Sequence, residues 1–162
     1  MVEPPGDVMN LTEFNAAPAD EVTDALLACA DVPVWAAAVR DARPYPDESA
    51  LFHVADELAQ TWTAEEVERA LAAHPRIGER AVGWSRDEQA GVTPGDELVD
   101  ANRAYEERFG RVFLICATGL STDEILASAR QRLDNDDETE AAIVQDELRK
   151  IALLRLRKVL DA

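Results

Sequence analysis

The chain has 162 residues, 47% of them apolar, which suffices for one domain to bury a sizeable core and excludes a disordered or collagen-like polymer. Against 16 Lys and Arg stand 33 Asp and Glu, a net charge of −17 whose field repels phosphate backbones and anionic lipid heads, which argues against nucleic-acid and membrane-surface roles. No stretch nears the ~18–20 apolar residues of a membrane span. The opening MVEPPGDVMN has no basic segment leading into an apolar one, so the expectation is a soluble, cytoplasmic protein. Such an acidic chain can bind a small anion only through a local cluster of positive groups, so basic residues at positions that the pattern buries become the ones to find.

In chain order, residues 1–10 read as a loose Pro- and Gly-bearing tail and 11–162 as a single domain with no internal repeat. Val32-Pro33 opens a helix that runs to Arg40 and is stopped by Arg43-Pro44-Tyr45-Pro46. Ser49 is placed to cap a helix reaching Gln60, with Leu51, Val54, Ala55 and Leu58 at helical spacing. Three capping boxes follow, Thr63–Glu66, Ser85–Glu88 and Ser121–Glu124, each able to satisfy orphan amides at a helix start. Another helix lies between Pro94 and Gly110, carrying Leu98, Ala101, Asn102 and Tyr105. Arg111–Ala117 is a short apolar run that could be extended, but one strand makes no sheet. The last helix spans about Glu138 to Leu160. The prediction is an all-α fold of seven or eight helices.

Cys29 and Cys116 are far apart and lack a CxxC pattern, so two buried thiols in a reduced compartment are expected. The histidines are His53 and His74. His53 and Glu57, at i and i+4, could share a metal, but no third ligand is suggested and no metal site is expected.

Three elements depart from the plain pattern. On the last helix, Val144, Leu148 and Ile151 line one face, and Arg155 falls in the middle of it. A guanidinium there needs a partner; a snorkelling side chain or a structural ion pair would explain it as well as a ligand would. In His74-Pro75-Arg76-Ile77-Gly78, Pro75 ends the preceding helix and holds an imidazole on a stiff corner. That suits acid–base work near neutral pH, although a histidine that simply ends its helix fits equally. In Ser85-Arg86-Asp87-Glu88-Gln89-Ala90-Gly91, Ser85 and Glu88 need no role beyond the capping box, yet with Gln89 they gather polar groups at a helix start, where an anion is favoured.

Taken in order, HPRIG at 74–78, SRDEQAG at 85–91, Asn102-x-x-Tyr105-x-x-Arg108-Phe109-Gly110 running into RVFLICATG, and Arg132-Leu133-x-Asn135 through Lys150-Ile151-x-x-x-Arg155-Leu156 resemble the 2-oxo-4-hydroxy-4-carboxy-5-ureidoimidazoline (OHCU) decarboxylases, from about Phe14 to Leu160. One departure is Ala117-Thr118-Gly119, where relatives often carry Arg in place of Thr118. The resemblance implies a cofactor-independent decarboxylase that yields (S)-allantoin, the last step of urate oxidation, acting on a small anionic ureidoimidazoline. It implies that His74 and Glu88 are the catalytic acid–base groups, that Pro75, Ser85, Gln89, the Ile115 backbone and Arg155 contact substrate, and that the chain forms a homodimer. The alternatives from other classes are a non-catalytic helical binding domain of the same fold and a metal-dependent hydrolase built on His53 and Glu57.

Overall fold

In a computed structural model of the chain, the structure describes residues 9–74, 88–92 and 95–160. Among the described residues there are eight helices and no strand: α1 (Leu11–Ala16), α2 (Ala19–Cys29), α3 (Pro33–Asp41), α4 (Glu48–Ala59), α5 (Ala64–Ala72), α6 (Asp96–Phe109), α7 (Thr122–Arg132) and α8 (Asp137–Val159). The predicted all-α class holds. No described helix is long and apolar enough to cross a membrane. The backbone divides into two compact units, Met1–Ala73 with Leu148–Ala162, and His74–Glu147.

The helix boundaries follow local chemistry. Thr63 and Ser121 form the predicted capping boxes, their hydroxyls accepting from the Glu66 and Glu124 amides while each Glu accepts from the cap amide. Each such cap stabilises by about 1 kcal/mol. Asn10 and Glu13 make a further box at α1, and Met9 is buried. At α4 the cap is Asp47, one of whose carboxylate oxygens accepts from the Ala50 amide at 2.8 Å, rather than the expected Ser49, which lies inside the helix. Gly110 ends α6 at φ +71°, a left-handed position that favours glycine. The Ser85–Glu88 box lies outside the described residues at Ser85.

In the first unit α3 packs against both α2 and α4, and Val22, Leu26, Trp35, Val39 and Leu51 on these helices are all buried, as is Phe14 on α1. Burying each large apolar side chain contributes about 1.5–3 kcal/mol. Trp35 meets Trp62 edge to face at 5.8 Å and donates its indole N–H to the Ala55 carbonyl. The Arg43 guanidinium donates to the Phe14, Ala17 and Arg40 carbonyls at 2.8–3.0 Å, so one cation serves the C-terminal ends of α1 and α3. The later part of α8 joins this unit through buried Leu148, Ile151, Leu156 and Val159, and through an ion pair from Arg149 to Asp56 on α4.

In the second unit α6 packs on α7 around Leu98, Tyr105, Phe113, Ile115, Ile125, Leu126 and Ala129. The 112–117 segment between them is neither helix nor strand, as one isolated apolar run without a partner should be. Cys29 is buried as expected; Cys116 is only partly so, because it lies on this segment beside α8, and neither forms a disulfide.

Candidate functional site

His74 follows the last turn of α5. Ala73 caps the C-terminal end of that helix in αR geometry, and His74 sits in the bend beyond it, half-buried. The helix thus ends before His74, as expected; the corner itself rests on Pro75, which, like Ser85, lies outside the described residues. Glu88 is buried and Gln89 half-buried. They open a short turn closed by the Val92 amide donating to the Gln89 carbonyl at 2.9 Å. Gly91 holds that turn against the main chain of Leu120: a Cβ added there would meet the Leu120 carbonyl oxygen at 2.5 Å, so only glycine fits without displacement.

Ile115 is buried in the 112–117 segment, which is braced from both sides. The Leu114 carbonyl accepts from Arg132 Nη1 at 2.7 Å, and the Cys116 amide donates to Glu147 Oε1 at 3.2 Å. Among the described residues no hydrogen-bond partner exists for the N–H or C=O of Ile115 itself. Buried main-chain groups of this kind are otherwise almost always satisfied, which makes Ile115 a candidate ligand contact.

Beside that segment lies a buried polar cluster that sequence reasoning missed. Arg132 presents its guanidinium side-on to Glu140, with Nε 3.1 and 2.9 Å from the two carboxylate oxygens and Nη2 also bonded. The Tyr105 hydroxyl donates to the same carboxylate and Asn135 Nδ2 reaches it at 3.2 Å. Arg132 also stacks over the Phe113 ring at 4.7 Å. Burial alone would push the Glu140 carboxyl up, but the bonds from Arg132 and then Tyr105 outweigh it and hold the group below its ordinary value. Burial, together with the adjacent carboxylate, pushes the Tyr105 hydroxyl well up, so it remains a donor. A signal existed: Ile125, Ala129 and Arg132 share one face of α7, the same basic-residue-in-an-apolar-stripe pattern that singled out Arg155.

Arg155 itself is 9% exposed, on the face of α8 that buries Val144, Leu148 and Ile151, and donates from Nη1 to the Ala28 carbonyl at 3.4 Å. It belongs to the first unit, whereas His74, Glu88, Gln89 and Ile115 all belong to the second. His53 and Glu57 form an exposed pair at 3.1 Å on α4, and no cluster of three or more metal-ligating side chains occurs among the described residues.

The OHCU decarboxylase family profile matches residues 15–157. A 2-oxo-4-hydroxy-4-carboxy-5-ureidoimidazoline decarboxylase from Amia calva is 32% identical over 146 residues, covering 80% of this chain and 81% of that protein. A uric acid degradation bifunctional protein from Bacillus sp. (strain TB-90) is 26% identical over 94% of this chain, which spans only 32% of that longer relative. Among solved structures, an OHCU decarboxylase crystallised in the presence of (S)-allantoin superposes with a TM-score of 0.70 at 26% identity, covering 84% of this chain and 96% of that one.

Proposed function

The chain belongs to the OHCU decarboxylase family, and on that premise we propose that it removes carbon dioxide from 2-oxo-4-hydroxy-4-carboxy-5-ureidoimidazoline to give (S)-allantoin. The observation that supports this best is the company kept within one unit by His74, Glu88, Gln89 and an Ile115 backbone with open hydrogen-bonding groups.

The chemistry asks little beyond placement. The carbon that loses its carboxylate adjoins a ring C=N bond. As the C–C bond breaks, its electron pair passes into the adjoining C=N system while carbon dioxide departs, leaving an enol across the two ring carbons. A proton then adds to the neighbouring, ureido-bearing carbon as the hydroxyl gives up its proton and becomes the ring carbonyl of allantoin. No electron sink from outside the substrate is required; the protein binds, orients and supplies the proton. His74 engages the substrate hydroxyl or carboxylate, and Glu88 is the second acid–base group. Gln89, Ser85 and Pro75 contact the substrate, and the Ile115 main chain offers a donor and an acceptor to the ring. Arg155 meets a substrate oxygen with its planar fork. Proton delivery from one side accounts for a single enantiomer. Two cysteines that form no disulfide suit a reduced, cytoplasmic setting.

The test generates the unstable substrate in place with urate oxidase and hydroxyisourate hydrolase and follows circular dichroism with and without the protein. Rapid growth of the (S)-allantoin signal is expected. His74→Ala should reduce turnover by about 10²–10⁴-fold, the usual worth of one acid–base group, with an unchanged melting curve. A folded wild-type sample giving only slow, racemic product would overturn the reading in favour of a binding domain.

A further inference from the structure

We infer that Glu147 and Arg132 are positioning residues that aim the Ile115 main chain at the substrate. This deepens the decarboxylase reading and rests on it. Each peptide group is a rigid plane in which C=O and N–H point in opposite directions. Arg132 binds the Leu114 carbonyl and so fixes the plane that also carries the Ile115 N–H. Glu147 binds the Cys116 N–H and so fixes the next plane, which carries the Ile115 C=O. The two side chains thereby set both soft torsions of Ile115, and the two groups left without partners among the described residues are those they aim. Neither anchor is loose: Arg132 is held by the Glu140 carboxylate and Glu147 is buried on α8. A donor and an acceptor presented by a segment without helical or sheet hydrogen bonds would otherwise wander, and ordering them on binding would cost affinity.

The experiment uses the full chain with the substrate generated in place, comparing wild type, Glu147→Ala and Glu147→Gln. Gln keeps an oxygen acceptor for the Cys116 amide and Ala removes it. Glu147→Ala should raise KM by about three- to tenfold, the equivalent of one lost hydrogen bond, with kcat within about twofold. Glu147→Gln should restore most of the loss in KM. Should Glu147→Ala fail to fold, Glu147→Asp, which withdraws the acceptor by one methylene, is expected to raise KM in its place. An unchanged KM in the folded Ala or Asp variant, or losses in the Ala and Gln variants that simply follow their melting temperatures, would overturn the positioning role while the wild type remains active. An inactive wild type would instead remove the decarboxylase reading, and this inference with it.

Discussion

Arg132→Met isolates the buried polar cluster of the second unit. The wild-type guanidinium is 5% exposed and its partner Glu140 1% exposed, so the substitution leaves a carboxylate that water cannot reach. Breaking a buried pair from one side costs about 3–5 kcal/mol. Here Tyr105 and Asn135 still donate to Glu140, which favours the lower end of that range. The Leu114 carbonyl also loses its donor, and Met replaces the stack on Phe113 with a softer contact. A loss of about 3–4 kcal/mol follows, or roughly 10 °C in melting temperature for a chain of this size. The loss must depend on pH. In the wild type the Glu140 carboxyl titrates below its ordinary value of 4.5. Its contribution is therefore complete above that value and is lost as pH falls through the depressed one. Without the guanidinium, burial raises the same carboxyl, and the variant is relieved as pH falls through the raised value. The gap between the two proteins should be widest at neutral pH and narrow towards pH 4. Urea unfolding followed by far-ultraviolet circular dichroism at both pH values measures it. A difference below about 1 kcal/mol at pH 7, or one equal at the two pH values, would show that the pair does not hold this unit together.

Two further substitutions test the proposed substrate contacts, one in each unit. Arg155→Lys keeps the charge but loses the planar fork, so it should raise KM for the substrate with a small change in kcat; a lowered melting temperature with unaltered KM would make Arg155 a structural residue that holds the Ala28 carbonyl. Gly91→Ala places a methyl group 2.5 Å from the Leu120 carbonyl, and because both neighbours are main chain the 88–92 turn must move. It should cost about 1–3 kcal/mol and reduce activity through Glu88 and Gln89; a fully active, equally stable variant would show that the turn yields without disturbing them.

Much of the fold is legible where the determining interactions are local. The Thr63 and Ser121 boxes, the Gly110 stop, the Val32-Pro33 start and the apolar face of α8 each depend on residues within about one or two helical turns. The differences are instructive. Asp47 outranks Ser49 because it follows Pro46 in extended geometry (φ −156°, ψ 170°), the conformation a cap needs. Asn10-x-x-Glu13 carries a box signature, but the Pro- and Gly-bearing stretch before it draws the eye to a tail. Of the residues proposed to act on substrate, His74, Glu88 and Arg155 stand out in the sequence because a basic or acid–base group breaks a pattern. The braces around Ile115 do not, since Glu147 is 31 residues from the amide it binds and such pairings exist only once the chain has folded. Arg132 is the intermediate case: its stripe is readable, its partner is not.

The described arginines that reach inward share a habit with consequences beyond packing. Arg43, Arg132 and Arg155 all donate to backbone carbonyls, so guanidinium charge is drawn to helix ends and the 112–117 segment. With a formal charge of −17, the solvent-facing shell is left with a surplus of carboxylates and gathers a dense cationic ion atmosphere. An anion the size of a small organic acid then meets repulsion over the last nanometre of its approach and attraction only on arrival. Its encounter rate should rise with ionic strength, the reverse of enzymes that steer their substrates by charge, and discrimination among anions falls to short-range contacts alone.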